Sequence, residues 1–300
     1  MAGSSTKSIL YALGANFGIV IAKSIAALKT GSGSMMAESI HSFADCVNQL
    51  LLLLGLKKSK KLPSPNYPMG YGKEIYFYSF IVALMLFSVG GLFSLYEGIH
   101  KLYEPSAISD PIIAIGVLVV SIVLEALSLR GCLVEINKIR GSMSLWKWTK
   151  ATSQSELVVV LGEDIAALLG LCFALMAVVL SLLTGDPMYD AIGSIVIGVL
   201  LIVVAIFIAI KIKGLLIGKS VDEELRNEIE QFINAYQHMN MVLNIITIQL
   251  GVGIMVAVKV KMTDSLGSKE LVLNINNCEV EIKKRFPEVK WIFFEPDIKV

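Results

Sequence analysis

The stretch SMMAESIHSFADCVNQLLLLLGL, residues 34–56, contains the pattern that decides the fold. It is long and apolar enough to cross a membrane, because a spanning helix needs about 20 mostly apolar residues. Glu38, His41 and Asp45 nevertheless stand inside it, within about two helical turns of one another. An ionisable residue near the middle of a span costs roughly 2.5–3.5 kcal/mol on insertion scales, so this group indicates a functional site.

The composition is that of a membrane protein. The chain has 300 residues, of which 55% are hydrophobic and 17% charged, whereas a soluble domain has about 45–50% and 25%. The net charge of +1 gives no reason to expect a nucleic-acid partner. The four cysteines are far apart in the sequence, which favours buried thiols over disulfides or a zinc knuckle.

Apolar runs predict six transmembrane helices, near residues 8–29, 34–56, 74–102, 111–132, 154–184 and 188–213. We interpret the first run as a span rather than a signal peptide. The links after the second, fourth and sixth runs are rich in lysine and arginine, and the other links are not. By the positive-inside rule, both termini are then cytoplasmic. We expect a multi-pass protein of the plasma (inner) membrane.

The sequence changes character after Gly214. Ser220 and Glu223 have the spacing of a capping box and precede an amphipathic helix. Two strand-like runs, a second helix and a third strand follow. This order predicts a small α+β domain, of the ferredoxin-like type, with its helices on one face of a sheet. We therefore expect a transmembrane cation transport domain, 1–213, and a cytoplasmic domain, 214–300.

The polar residues of the second span lie on one helix face. His41 and Asp45 are four residues apart, and Asn48 continues the same stripe. A structural alternative is a set of hydrogen bonds to a neighbouring helix. Imidazole and carboxylate together suit Zn²⁺ and related divalent ions, so we predict a metal site here.

The fifth span offers two adjacent acids, Glu163 and Asp164, at a depth that matches Asp45 on an antiparallel helix. Adjacent residues point about 100° apart, so at most one is expected to point squarely at the site. A salt bridge to a neighbour is the alternative, but Lys23 is the one lysine near this depth and offsets one carboxylate at most. A bound cation or protons must neutralise the rest. Glu125 of the fourth span fits either a structural acid or a proton path.

Several motifs together resemble the cation diffusion facilitator family, in its zinc transporter nine-like branch. They are ESIHSFADCVNQLLLLLGLKKSK, EDIAALLGL, LTGDPMYDAIGSIVIG and LLIGKSVDEE, and the likeness covers the whole chain. The resemblance implies a homodimer of six-span protomers with cytoplasmic metallochaperone-like domains. It also implies export of Zn²⁺ or a similar ion, usually in exchange for protons. By position, His41 and Asp45 match the paired ligands of the second span, and Asp164 matches the second ligand of the fifth.

The chain departs from the family pattern in three respects. Val160 stands where better-known members have a histidine or aspartate, so Glu163, Asn48 or water is expected to complete the metal shell. Tyr67 and Tyr71 occupy a link that often carries histidine ligands, and Phe293 replaces a frequent ligand of the soluble domain. We therefore predict no metal site in the link or the soluble domain, whose role would be dimerisation.

These observations predict a proton-coupled Zn²⁺ efflux antiporter that works by alternating access around a midplane site. Metal binding needs deprotonated ligands, and His41 is the natural proton carrier. The expected partners are the metal, protons, the lipid bilayer and a second copy of the chain; Zn²⁺ is cargo, and no cofactor is expected. Selectivity for Mn²⁺, Fe²⁺ or Co²⁺ is an alternative, as is a non-transporting membrane anchor for partner binding. An enzyme is not expected, because no span contains the histidine pair of an intramembrane metalloprotease.

Overall fold

Long helices form most of the first two thirds of the chain. The computed structural model describes residues 2–105, 107–263 and 267–298, with side chains from residue 16 onward. We number the six long helices as spans, in chain order. The first two spans are α1 (Ala2–Thr30) and α2 (Gly33–Ser59), and the third is continuous through α3 (Glu74–Met85), a π-helical segment (Leu86–Leu92) and α4 (Phe93–Tyr103). The fourth, fifth and sixth spans are α5 (Pro111–Ile139), α7 (Ser155–Thr184) and α8 (Met188–Ile217), and a short helix, α6 (Leu145–Ala151), precedes the fifth.

The second to sixth spans are each long and apolar enough to cross a membrane, which makes five such helices in the described part of the chain. The predicted first span, 8–29, falls within α1, and its side chains before residue 16 lie outside the described residues. The fourth span extends beyond its predicted end at 132, as far as Ile139. The predicted class, a helical membrane protein with a C-terminal α+β part, is confirmed.

The described residues divide into two compact units. One contains the chain up to Gly55, Tyr78–Met143 and Glu156–Ile212, and therefore most of the spans. Within it, the third and sixth spans approach each other closely: a Cβ atom on Gly98 would lie 2.8 Å from the carbonyl oxygen of Ala191. Small residues of this kind let membrane helices pack backbone against backbone.

The other unit contains Leu56–Phe77, Ser144–Ser155 and the chain from Lys213 onward. Its three-stranded sheet has the order β1-β2-β3, where β1 (Met239–Leu250) is antiparallel to β2 (Gly253–Met262) and β2 is parallel to β3 (Val289–Pro296). Two helices, α9 (Glu223–Asn234) and α10 (Ser268–Arg285), close an apolar core with the sheet. The assignment of 214–300 as an independent domain stays a prediction.

One local prediction in this unit is wrong. The cap of α9 is Asp222, whose carboxylate accepts a hydrogen bond from the backbone N–H of Leu225, and the helix begins at Glu223. Ser220 instead shares a 2.6 Å hydrogen bond with the hydroxyl of Thr247 in β1. The hydroxyl therefore serves a contact with the sheet, and the capping box does not form.

Candidate metal site between the membrane helices

A cavity of about 40 Å³ lies among the first, second, fourth and fifth spans. Such a volume is enough for a small ion or a few waters, because one water needs roughly 10–15 Å³ by this measure. Four acidic residues line the cavity, from three different spans: Asp45, Glu125, Glu163 and Asp164. The remaining polar lining consists of Asn16, Ser42, Gln49 and Ser128.

The paired residues of the second span contribute differently. Asp45 lines the cavity, and its side chain is 21% exposed. His41 is fully buried, with Nε2 3.5 Å from Oδ2 of Asp45. Neither ring nitrogen of His41 has a hydrogen-bond partner among the residues that the structure describes. Its Nδ1 faces the third span, where a Cβ atom on Gly90 would lie 3.7 Å away.

Both acids of the fifth span line the cavity, although at most one was expected to point squarely at it. Nδ2 of Asn48 donates a 2.6 Å hydrogen bond to Oε1 of Glu163, so the amide orients this carboxylate. Oγ of Ser128 donates a longer bond, 3.4 Å, to Oδ2 of Asp164. The two adjacent acids are therefore fixed by different helices, Glu163 by the second span and Asp164 by the fourth.

These side chains surround a common space without forming a finished coordination shell. Across the described ranges, no three His, Cys, Asp or Glu residues stand close enough together to hold one metal ion. The structure thus brings Asp45, Glu163 and Asp164 to one cavity, with His41 behind Asp45 and Asn48 behind Glu163. Their service as metal ligands stays a prediction, and it requires the side chains to converge.

Lys23 does not neutralise the cavity acids. Its ammonium group lies 3.3 Å from Oε2 of Glu38 and donates a 2.7 Å hydrogen bond to Oγ of Ser42. In the described structure, Asp45, Glu163 and Asp164 make no ion pair with lysine or arginine. Burying so many carboxylates favours the binding of a cation or of protons.

Asp190 has a role that the sequence did not reveal. Its carboxylate accepts hydrogen bonds from Gly33 N (2.6 Å), Ser34 N (3.2 Å) and Ser32 Oγ (2.7 Å), which caps the second span although Asp190 itself lies at the start of the sixth. Lys101 of the third span lies 3.1 Å away and also donates to the carbonyl of Gly31. The partners are far apart in the chain, so no local motif could have indicated this cluster.

Comparisons with known proteins cover most of the chain. The family model described as "Cation efflux transmembrane domain" matches residues 9–217. A Xenopus laevis protein named "Proton-coupled zinc antiporter SLC30A9, mitochondrial" is 36% identical over 218 residues, which are 71% of this chain and 38% of that protein. The human protein of the same name is 33% identical over 236 residues, 77% of this chain and 41% of its own length.

A plant protein gives a similar result. The Arabidopsis thaliana "Metal tolerance protein C4" is 33% identical over 238 residues, covering 76% of this chain and 50% of that protein. The matched region of this chain therefore spans about two fifths of the two animal relatives and half of the plant relative.

Proposed function

Because this chain belongs to the cation efflux family, we propose that it exports a divalent metal ion, Zn²⁺, through the cavity between its spans. The observation that carries the proposal is the cavity itself, where Asp45, Glu163 and Asp164 meet from two helices. The names of the Xenopus laevis and human relatives, which are zinc antiporters, support Zn²⁺ as the cargo. In this proposal Zn²⁺ is a substrate and not a resident cofactor.

We assign the ligand roles from the contacts around the cavity. Asp45 and Asp164 bind the ion directly, since one is partly open to the cavity and the other is held by a single long hydrogen bond. Glu163 is the third oxygen ligand, and Asn48 positions it. His41 completes a tetrahedral set when its ring turns toward Asp45, because Zn²⁺ accepts imidazole nitrogen and carboxylate oxygen together.

Proton coupling follows from the chemistry of these ligands. A carboxylate or imidazole must be deprotonated to bind a metal ion, so metal binding releases protons and protonation favours metal release. Movement of one group of helices against another would then expose the site to each side in turn. The ion binds from the side of the basic links and leaves at the other side, in exchange for protons.

The remaining assignments concern the membrane and the assembly. We propose that both termini lie on the side of the basic links and that residues 214–300 support a homodimer. The uncovered sheet face, with Ile246 and Phe293 exposed, is suited to such a contact. The sequence-based expectation is the plasma (inner) membrane; the animal relatives are named mitochondrial, which favours an organelle membrane for those proteins.

Transport into proteoliposomes tests the function. The purified chain, reconstituted with a Zn²⁺-sensitive dye inside, is compared with and without an imposed pH gradient, and with Mn²⁺, Fe²⁺ and Co²⁺ in place of Zn²⁺. We expect Zn²⁺ influx that rises with an outward proton gradient. Faster transport of Mn²⁺ than of Zn²⁺ would reassign the cargo, and no transport of any of the four ions would refute the proposal.

Two substitutions connect the flux to the cavity. His41→Ala and Asp45→Ala should each abolish transport, because each removes a ligand, while the protein still inserts into the membrane. His100→Ala is a matched histidine control, since His100 is half exposed at the far end of the third span and pairs with the exposed Glu104. Wild-type flux in either cavity variant would exclude the assigned site.

A further inference from the structure

A second charged pair lies inside the spans, next to the cavity but outside the ligand set. Lys23 of the first span and Glu38 of the second are both buried, at 2% and 0% exposure, with 3.3 Å between Nζ and Oε2. The ammonium group also donates a hydrogen bond to Ser42, which lines the cavity. Ionisable residues are costly inside membrane spans, and where they occur they pair with one another and mark pathways for ions.

Only one oxygen of the Glu38 carboxylate, Oε2, takes part in this pair within the described structure. Its Oε1 is buried and has no hydrogen-bond partner within the described ranges. It packs against Gly170 of the fifth span, where a Cβ atom would lie 2.5 Å from Oε1. The oxygen therefore occupies the place that a side chain at Gly170 would take, and a buried acceptor without a hydrogen-bond partner costs free energy.

Glu38 is also close to the imidazole of His41, which the proposed function assigns to the cavity site when its ring turns toward Asp45. It precedes His41 by three residues, which places both side chains on neighbouring parts of one helix face. Both ring nitrogens of His41 lack hydrogen bonds in the described structure. Relative to His41, Glu38 lies toward the end of the second span that begins at Gly33, and away from the lysines at its other end.

We propose that Glu38 and His41 form a second subsite for the divalent cation, on the exit side of the cavity, and that Lys23 fills it as an internal competitor. The inference rests on the proposed function, because it places this subsite after the Asp45 site on the path of the metal. A carboxylate oxygen and an imidazole nitrogen select a borderline-soft divalent ion such as Zn²⁺. The lysine ammonium occupies Glu38 when the metal is absent and is displaced as the metal passes.

Replacing the competitor tests the proposal. In Lys23→Met the side chain keeps its length and loses its charge, so the subsite becomes free for metal. Because this subsite and the cavity site share His41, one ion occupies either of them at a time. We therefore expect Zn²⁺ titration of the purified full-length variant by calorimetry to show at least 10-fold tighter binding, still with one equivalent per chain. Transport by the same variant in proteoliposomes should slow at least five-fold, because the metal is retained.

Three further variants show whether a change in Zn²⁺ binding comes from the charge of Lys23 and from Glu38. Lys23→Arg keeps the positive charge and should bind Zn²⁺ like the parent. Lys23→Met/Glu38→Gln removes both charges and should lose the gain in affinity. Lys23→Gln retains a hydrogen-bond donor for Glu38 and Ser42, and it replaces Lys23→Met if that variant does not fold. A Zn²⁺ affinity of the folded variant equal to that of the parent would overturn the proposal, as would a gain in affinity that survives Glu38→Gln.

The outcome separates this inference from the proposed function. Asp45→Ala in the parent background removes a ligand of the cavity site, which we call the main site, and leaves Glu38 and Lys23 in place. If Zn²⁺ binding in the parent depends on Asp45 but Lys23→Met adds nothing, the exit subsite is wrong and the main site stands. If the parent shows no Asp45-dependent binding, the proposed function fails, whatever Lys23→Met does.

Discussion

At the scale of single residues, the two cavity acids of the fifth span are not equivalent. Among the described contacts, Glu163 is held by a short hydrogen bond from Asn48, whereas Asp164 has the long bond from Ser128 alone. A carboxylate that already has a strong donor must reorganise before it binds a metal. Asp164 can therefore respond to an ion more readily, and Glu163 is the more fixed of the two.

This difference predicts unequal effects of removing the two charges. Asp164→Asn should eliminate Zn²⁺ binding, because it deletes a direct ligand. Glu163→Gln should weaken binding without eliminating it, on the order of 10–100-fold, because this ligand already gives one oxygen to the Asn48 amide and contributes less to the ion than Asp164 does. Calorimetric Zn²⁺ titration of the purified protein measures both effects.

The control replaces a third acid in the same way. Asp110→Asn alters a residue outside the cavity whose left-handed backbone conformation asparagine also tolerates, so binding should be unchanged. If Glu163→Gln has wild-type affinity and pH profile, Glu163 is structural. The remaining ligand would then have to be Asn48 or a water.

Cys278 gives a prediction about pH. Burial in the apolar core of the second unit, with a smaller contribution from the charge of Glu279, raises the pKa of its thiol to about 12. The thiol of an unfolded chain ionises near its ordinary pKa of 9.0, so this group lowers the stability of the folded unit as pH rises from about 9 toward 12. Below that window it has no effect on stability.

The thiolate is also the reactive form of cysteine. Peptide mapping after iodoacetamide treatment at pH 8 should therefore find Cys278 unmodified in the native protein and modified in denaturant. Rapid native labelling at pH 8 would show that this residue is accessible and its pKa ordinary.

At the scale of elements, the start of the second span depends on residues from two other helices. The carboxylate of Asp190 takes up the free N–H groups of Gly33 and Ser34, and Lys101 balances its charge. A helix end has unsatisfied N–H groups, and a carboxylate there is favoured by the helix dipole as well. The cluster therefore joins the second, third and sixth spans at one end of the bundle.

Asp190→Ala should destabilise the protein strongly. It leaves Lys101 as a buried charge without its carboxylate and removes the cap, and breaking a buried pair on one side costs roughly 3–5 kcal/mol. We expect a clear fall in the apparent Tm of the detergent-purified protein, measured by tryptophan fluorescence. Asp186→Ala is the control: Asp186 is exposed in the link just before the sixth span, and its carboxylate accepts a hydrogen bond from Met188 N, so a similar fall in both variants would contradict the assigned role.

The elements themselves were predictable from the sequence, and their contacts were not. Length and hydropathy locate the spans, and alternation locates β1 and β2, because both signals are contained in a short window. The Asp190 cap and the Lys23–Glu38 pair join residues that are distant in the chain. The candidate site was predictable in part. The depth of Asp45 and Asp164 in the membrane can be read from the sequence, but the hydrogen bond from Asn48 to Glu163 depends on how the two helices are rotated about their axes.

At the scale of the whole molecule, the family match confirms the resemblance seen in the sequence motifs. Together with the five apolar helices of the described residues, it also confirms the predicted class, a multi-pass membrane protein of this family. The match ends at residue 217 and so leaves the C-terminal part to be understood on its own physical grounds. There, the core consists of residues from α9, α10 and the three strands, from Val221 to Ile292.

This core predicts that the fragment 215–300 folds alone and without metal. Its buried cluster draws on no residue outside the fragment, and domains of roughly 60 residues or more often fold independently. The fragment has one histidine, His238, and one cysteine, the buried Cys278, so it lacks a ligand cluster for a structural zinc. We expect a cooperative thermal transition by circular dichroism that EDTA leaves unchanged, and no stoichiometric Zn²⁺ binding by calorimetry.

His238→Ala serves as the matched control and should melt like the parent fragment. Loss of structure in EDTA, or tight one-to-one Zn²⁺ binding, would instead make this part a metal-dependent domain, since metal sites that drive folding are abolished by chelators.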